Sequence, residues 1–312
     1  MEINDLSPEK SPSGIPKNGE IYTPAGQFGI LFGTTIACLI LGTFIAIIPF
    51  LVKGVSFVNV GTAMFDPKYA NAARLAQTLS TICMFLFPAL ILTANIKKKP
   101  VEYFHLNAKS SVKTWQWLVL IVVCSFAVTG LMGDINQWIP IPKNWATYFQ
   151  GLEDAYYKEV FALMQMHGIG DLIVSILLVA ALPAFLEELY FRGSLQSVFV
   201  KWFKNPHVAI IVSSIIFSAI HGSYYGFLPR FFLGIALGYI YYWGKDIKLN
   251  MFLHFINNTV SVIGIYTLSV KHELTKEKMD ESFPWYIGIM GLLVFLYAFF
   301  QFKKTVPQTN NL

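Results

Sequence analysis

Residues 172–193 read LIVSILLVAALPAFLEELYFRG, an apolar run broken only by Ser175 that ends on Glu187, Glu188 and Arg192. A hydrocarbon core about 30 Å thick asks a spanning helix for about 20 such residues. Ionisable groups at the centre of a span cost about 2.5 to 3.5 kcal/mol each on insertion scales, so a chain that keeps them at that depth is expected to use them.

Outward from this stretch the same character repeats. Of the 312 residues, 55% are hydrophobic and 13% charged, against about 25% charged in soluble domains. Candidate spans run from Phe28 to Val52, Ala72 to Ile96, Trp115 to Met132, Leu172 to Leu189, Val208 to His221, Phe227 to Trp243, Leu249 to Val270 and Trp285 to Phe302. The fifth is short for a crossing and suits a helix buried among others. The expected fold is all-α: a polytopic transmembrane helix bundle of about eight spans around an intramembrane catalytic cavity. A polar N-terminal tail is expected over residues 1–26, the bundle over 27–303, and a polar C-terminal tail over 304–312. No internal repeat or second domain is evident.

Charge and cysteine usage exclude several classes. The net charge of +5 resides mostly in lysines that flank spans, which reads as topology and not as nucleic-acid binding. Lys97, Lys98 and Lys99 read as a stop-transfer anchor, and with the other basic loops they favour both termini on the cytoplasmic side. Cys38, Cys83 and Cys124 each fall in an apolar run without metal-clip spacing and read as small packing residues. The loop from Gly133 to Asp171 would face outward. Within it Phe149, Leu152, Tyr156 and Val160 recur at helical spacing, so Tyr148 to Met166 reads either as a helix along the membrane surface or as an ordinary packed loop helix.

The chemistry-bearing residues fall on three apolar segments. Glu188 and Arg192, four apart, share a helical face within ion-pairing reach. Glu187 points about 100° away round the helix and is freer to act as a general base. Pro183 lacks the N–H that would bond Val179 and is expected to kink the span there. His221 closes Phe217-Ser218-Ala219-Ile220-His221, and His254 and Asn258 share a face in the Leu249 to Val270 run, with Asn257 directed elsewhere. Two histidines and a carboxylate from three helices form the usual minimal ligand set for a catalytic zinc, here Glu187, His221 and His254. The same groups also work without metal: a carboxylate in a low-dielectric pocket deprotonates water with help from a histidine, while His254 and the Asn258 amide donate to an oxyanion. The residues alone leave both mechanisms open. No His-Glu-x-x-His or Gly-x-Ser-x-Gly signature is present.

Taken in order, Glu-Glu-x-x-x-Arg, Phe-x-x-x-His and His-x-x-x-Asn resemble the CAAX protease and bacteriocin-processing family of intramembrane proteases, also called CPBP or Abi, over about residues 170–265. The resemblance implies an intramembrane metalloendopeptidase similar to type II CAAX prenyl endopeptidases, with a peptide or lipidated protein as substrate and the lipid bilayer as its surroundings. It gives Glu187 and His221 the activation of water, His254 and Asn258 the tetrahedral intermediate or the completion of a Zn2+ site, and Glu188, Arg192 and Phe217 structural support. The absence of an organelle address leans toward a bacterial plasma membrane. Two rivals use the same residues: a transporter or channel with an intramembrane ion path, and a non-catalytic scaffold giving bacteriocin immunity by sequestration.

Overall fold

The structure, a computed structural model, describes residues 21–164 and 166–306. Most of the expected N-terminal tail and the last residues of the expected C-terminal tail lie outside that range. The principal helices are α1 (Pro24–Val52), α2 (Pro67–Asn95), α3 (Val112–Trp138), α4 (Lys143–Leu163), α5 (Ile169–Phe203), α6 (Pro206–Ala219), α7 (Phe227–Gly244), α8 (Ile247–Val270) and α9 (Trp285–Thr305). No strand occurs among the described residues.

Helices α1, α2, α3, α5, α8 and α9 are each long and apolar enough to cross a membrane. The shorter apolar α6 and the 18-residue α7 bring the apolar helices to the eight expected. Outward-facing side chains such as Phe44, Val123 and Leu293 are apolar and exposed, as a lipid-facing surface requires. The chain is an integral, multi-pass membrane protein. Its first helix begins earlier than the apolar run suggests, because Thr23 caps it through a hydrogen bond from Gly26 N and Pro24 follows at the first helical position.

Helix α5 extends over 35 residues, well beyond the Leu172 to Leu189 run, and contains two π-helical turns, Ile176–Ala181 and Leu189–Gln196. The first directly precedes Pro183. Proline lacks the donor that would bond the carbonyl four residues back and its ring crowds that carbonyl, and a widened turn relieves both problems. The same device appears in α2, where the π turn Ile82–Leu86 precedes Pro88. In the second π turn of α5, Ser194 Oγ donates to Leu189 O and Ser197 Oγ to Arg192 O, each at 3.1 Å, so hydroxyls satisfy carbonyls that the wider turn frees.

Of the four apolar packing clusters among the described residues, two join the helices that carry the polar residues described below to the rest of the bundle. One gathers Leu118, Ile121, Val128, Leu237, Leu253 and Phe302 from α3, α7, α8 and α9. The other gathers Leu31, Leu92, Phe191, Val198 and Phe217 from α1, α2, α5 and α6. The cysteines are free and buried, as expected of packing residues. Helices α6 and α7 meet through Gly234 and Gly238: a Cβ at Gly234 would fall 2.9 Å from Ser214 Cβ, and one at Gly238 would fall 2.7 Å from Ile210 Cγ2. This is the small-xxx-small contact by which membrane helices approach closely.

The segment from Gly133 to Asp171 is mostly helix. Helix α4 leaves its expected stripe, Phe149, Leu152, Tyr156 and Val160, half-buried and fully buries Glu153 and Tyr157 beside it. It packs as a loop helix against the bundle, fastened by the Arg74 Nε bond to Leu163 O at 2.8 Å. Burial, then the Asp280 carboxylate it donates to, pushes the Tyr157 hydroxyl above its ordinary range, so it remains a donor. At one end of the bundle Lys98, Lys99, Lys201 and Lys245 surround a cavity of about 380 Å³.

Candidate active site

Glu187, Glu188 and Arg192 project from α5 where it meets α8, and all three are buried. Arg192 Nη1 donates to Glu188 Oε1 at 2.8 Å, the i,i+4 pair expected from the spacing, and Nη2 reaches Gly234 O at 3.4 Å. The guanidinium lies over the Phe217 ring, 4.7 Å from its centroid, which gives that phenylalanine a physical role beside α5. Glu187 makes no contact of that kind with Arg192.

Helix α8 presents His254 to both carboxylates. Its Nδ1 is 2.8 Å from Glu188 Oε1 and its Nε2 is 3.8 Å from Glu187 Oε2. With a carboxylate as acceptor, Nδ1 carries the proton it donates, and Nε2 is left to face Glu187. Glu188 therefore joins Arg192 to His254, a link the spacing alone does not show. Glu187 Oε2 and Glu188 Oε2 are buried without a hydrogen-bond partner.

His221 stands just beyond α6 and not inside a helix. Gly222, at φ +65°, takes the left-handed conformation that ends the helix. The His221 ring turns back so that Nδ1 is 2.7 Å from Phe217 O. A carbonyl accepts only, so Nδ1 donates and the neutral ring offers its Nε2 lone pair outward. Asn258, half-buried one turn after His254, makes no hydrogen bond with a described residue, and neither does the side chain of Asn257, which was expected to point elsewhere.

The turn after His221 is fixed from α3 and α4. Asn136 Nδ2 donates to Tyr224 O at 3.0 Å, while its Oδ1 accepts from Leu228 N at 2.9 Å. Glu153 Oε1 accepts from Tyr225 N at 3.0 Å. The turn delivers Arg230, on the first turns of α7, to the same neighbourhood, where its charge acts on both Glu187 and His221. Sequence patterning passed over Arg230, Asn136 and Glu153. The only signal was a lone arginine inside an apolar run.

Two cavities, of about 380 Å³ and 470 Å³, are lined by residues away from this cluster, and the neighbouring His221, Asn258 and Arg230 are partly exposed. The donor types of Glu187, His221 and His254 suit zinc, but among the described residues no three His, Cys, Asp or Glu side chains are gathered as a metal cage would be. His221 stands apart from the Glu187 and His254 contact. As arranged, the three do not form a zinc site.

Residues 169–260 match the family model described as type II CAAX prenyl endopeptidase Rce1-like. Over that stretch the chain is similar to the Rce1-like family. The matched stretch runs from the start of α5 into α8 and contains Glu187, Glu188, Arg192, Phe217, His221, Arg230, His254 and Asn258. No curated protein and no solved structure matches the chain. In a multi-pass membrane protein, similarity to that family points to a hydrolase that cuts peptide bonds, consistent with the CPBP resemblance.

Proposed function

We propose that the protein is an intramembrane endopeptidase acting on membrane-associated or lipidated, CAAX-type peptides. The observation that carries the reading is the unpartnered, buried Glu187 Oε2, 3.8 Å from His254 Nε2. A buried carboxylate oxygen with no donor is suited to hold a water and take its proton. In this reading Glu187 accepts that proton, with the outward Nε2 of His221 as a second acceptor. The hydroxide attacks the scissile carbonyl. His254, its Nδ1–H held by Glu188, faces the developing oxyanion together with the Asn258 amide, which donates to it. Glu187 then passes its proton to the leaving amine. Glu188 and Arg192 keep the imidazole oriented.

No step runs through a metal. Zinc on Glu187, His221 and His254 would require His221 to move toward the other two. Basic side chains at one end of the bundle, Lys98, Lys99, Lys201 and Lys245, support that end as cytoplasmic, and a bacterial plasma membrane remains the favoured setting.

The test is mass spectrometry of a peptide pool that includes prenylated C-terminal peptides, incubated with detergent-purified protein and its Glu187→Gln variant. Products are expected from the wild type alone. Retained cleavage by Glu187→Gln overturns the general-base role, and products from neither protein turn attention to ion flux in reconstituted vesicles. Elemental analysis of the same preparations answers the metal question, with substoichiometric zinc expected.

A further inference from the structure

Arg230 is held in place, but among the described residues no carboxylate pairs with its charge. Its guanidinium lies 5.2 Å from the Tyr156 ring centroid, so α4 covers one face. On another side it fills the space beside Gly226, where a Cβ would meet Nη1 at 2.2 Å. A methyl at that position would push the flexible guanidinium end aside. Yet among the described residues Nη1 is buried and makes no hydrogen bond, and no carboxylate forms an ion pair with the side chain. A buried guanidinium nitrogen lacking an acceptor is costly, more so than a neutral donor in the same state.

The nearest acid at the site does not relieve it. Arg230 and Glu187 influence one another electrostatically, but each keeps an unpartnered atom. Glu187 is buried on α5, and Arg230, on α7, is held beside Tyr156 and Gly226. Opposite charges that share a site without closing on each other leave a place between them for a ligand with its own anionic end. Arginine's planar fork suits a carboxylate, which it takes in two parallel hydrogen bonds.

Building on the protease reading, we propose that Arg230 binds the free α-carboxylate at the C-terminus of the substrate. An extended chain advances about 3.3 to 3.6 Å per residue, so a few residues reach from a scissile carbonyl at Glu187 to a neighbouring guanidinium. Arg230 then acts as a ruler: it selects chains that end shortly after the cleaved bond and excludes internal loops, which have no terminal charge to offer. Tyr156 and Gly226 are its positioning residues.

The experiment uses two prenylated peptides of one sequence, one with a free C-terminal acid and the other with a C-terminal amide. Their binding to the full-length Glu187→Gln variant in detergent is followed by fluorescence anisotropy. The acid is expected to bind about tenfold tighter, the worth of one charge-assisted pair. Adding Arg230→Gln should reduce that preference to less than twofold, Arg230→Lys should keep part of it, and Gly226→Ala, which displaces the guanidinium, should reproduce the loss while the unfolding temperature is retained. Equal binding of acid and amide to Glu187→Gln, or no binding of either, overturns the proposal. So does a preference that survives Arg230→Gln. Cleavage by the wild type is scored separately, so a protein that prefers the acid but cuts nothing would refute the protease and keep the carboxylate site. In the active enzyme, an equal fall in kcat for both peptides on Arg230→Gln would instead make Arg230 an oxyanion stabiliser.

Discussion

At the scale of single residues, the site is organised by Glu188, which makes two charge-assisted contacts through one oxygen: Arg192 on its own helix and His254 across the bundle. Removing either end exposes the other. Arg192→Ala leaves Glu188 fully buried with only an imidazole opposite it, and loss of a partner from a buried ion pair costs about 3 to 5 kcal/mol. A marked fall in unfolding temperature in detergent is the expected result, with Arg192→Lys intermediate because a lysine cannot stack on Phe217 in the same way. An unchanged unfolding temperature for Arg192→Ala would show that Glu188 finds another neighbour. The Glu188–Arg192 pair was legible from four-residue spacing, and so was the freedom of Glu187. The preference of His254 Nδ1 for Glu188 was not, because spacing within a helix is silent on which carboxylate a residue 66 positions later will meet.

At the scale of helices, the π turns and the glycine contact carry the lesson. Apolar runs located all eight segments, yet α5 outgrew its run by continuing through Tyr190, Phe191, Arg192 and Gln196, polar and aromatic residues that are buried by neighbours and not by lipid. Hydropathy measures partition into oil and has no term for a partner helix. Pro183 signalled a distortion, but its form, a widened turn one residue upstream, depends on how the carbonyls are shared. Gly234 and Gly238 set the closeness of α6 to α7 and so the positions of His221 and Arg230. In Gly234→Ala the new methyl would meet Ser214 at both Cβ and, at 3.2 Å, its backbone Cα, a clash of the overpacked kind that costs about 1 to 3 kcal/mol. The variant is expected to unfold at lower temperature and to lose activity beyond its loss of folded protein. Full activity per folded molecule would show that the α6–α7 spacing does not govern the site.

At the scale of the whole molecule, the site is assembled from α5, α6, α7 and α8, with α3 and α4 fixing the turn between α6 and α7. Sequence order conceals this convergence: Asn136 and Glu153 sit in what reads as an outer loop, and nothing near them marks the backbone atoms they hold. The pairing of Glu188 with Arg192 also bears on how the chain enters the membrane. Helix α5 reaches the bilayer before α8 exists, so neither carboxylate can yet meet His254. An i,i+4 ion pair lets the helix carry its own counter-charge through that interval, leaving Glu187 as the one net charge to be tolerated, at about 2.5 to 3.5 kcal/mol if centrally placed. In a glycosylation-reporter assay of α5 alone, Arg192→Ala is therefore expected to lower insertion, whereas Glu187→Gln raises it. Equal insertion of all three forms would show that the pair is made only after assembly. If the expected order holds, biosynthesis and catalysis make opposite demands on Glu187: the unpaired charge that suits it to deprotonate water is a burden while the polypeptide is being threaded into lipid, and it is relieved only when α8 arrives.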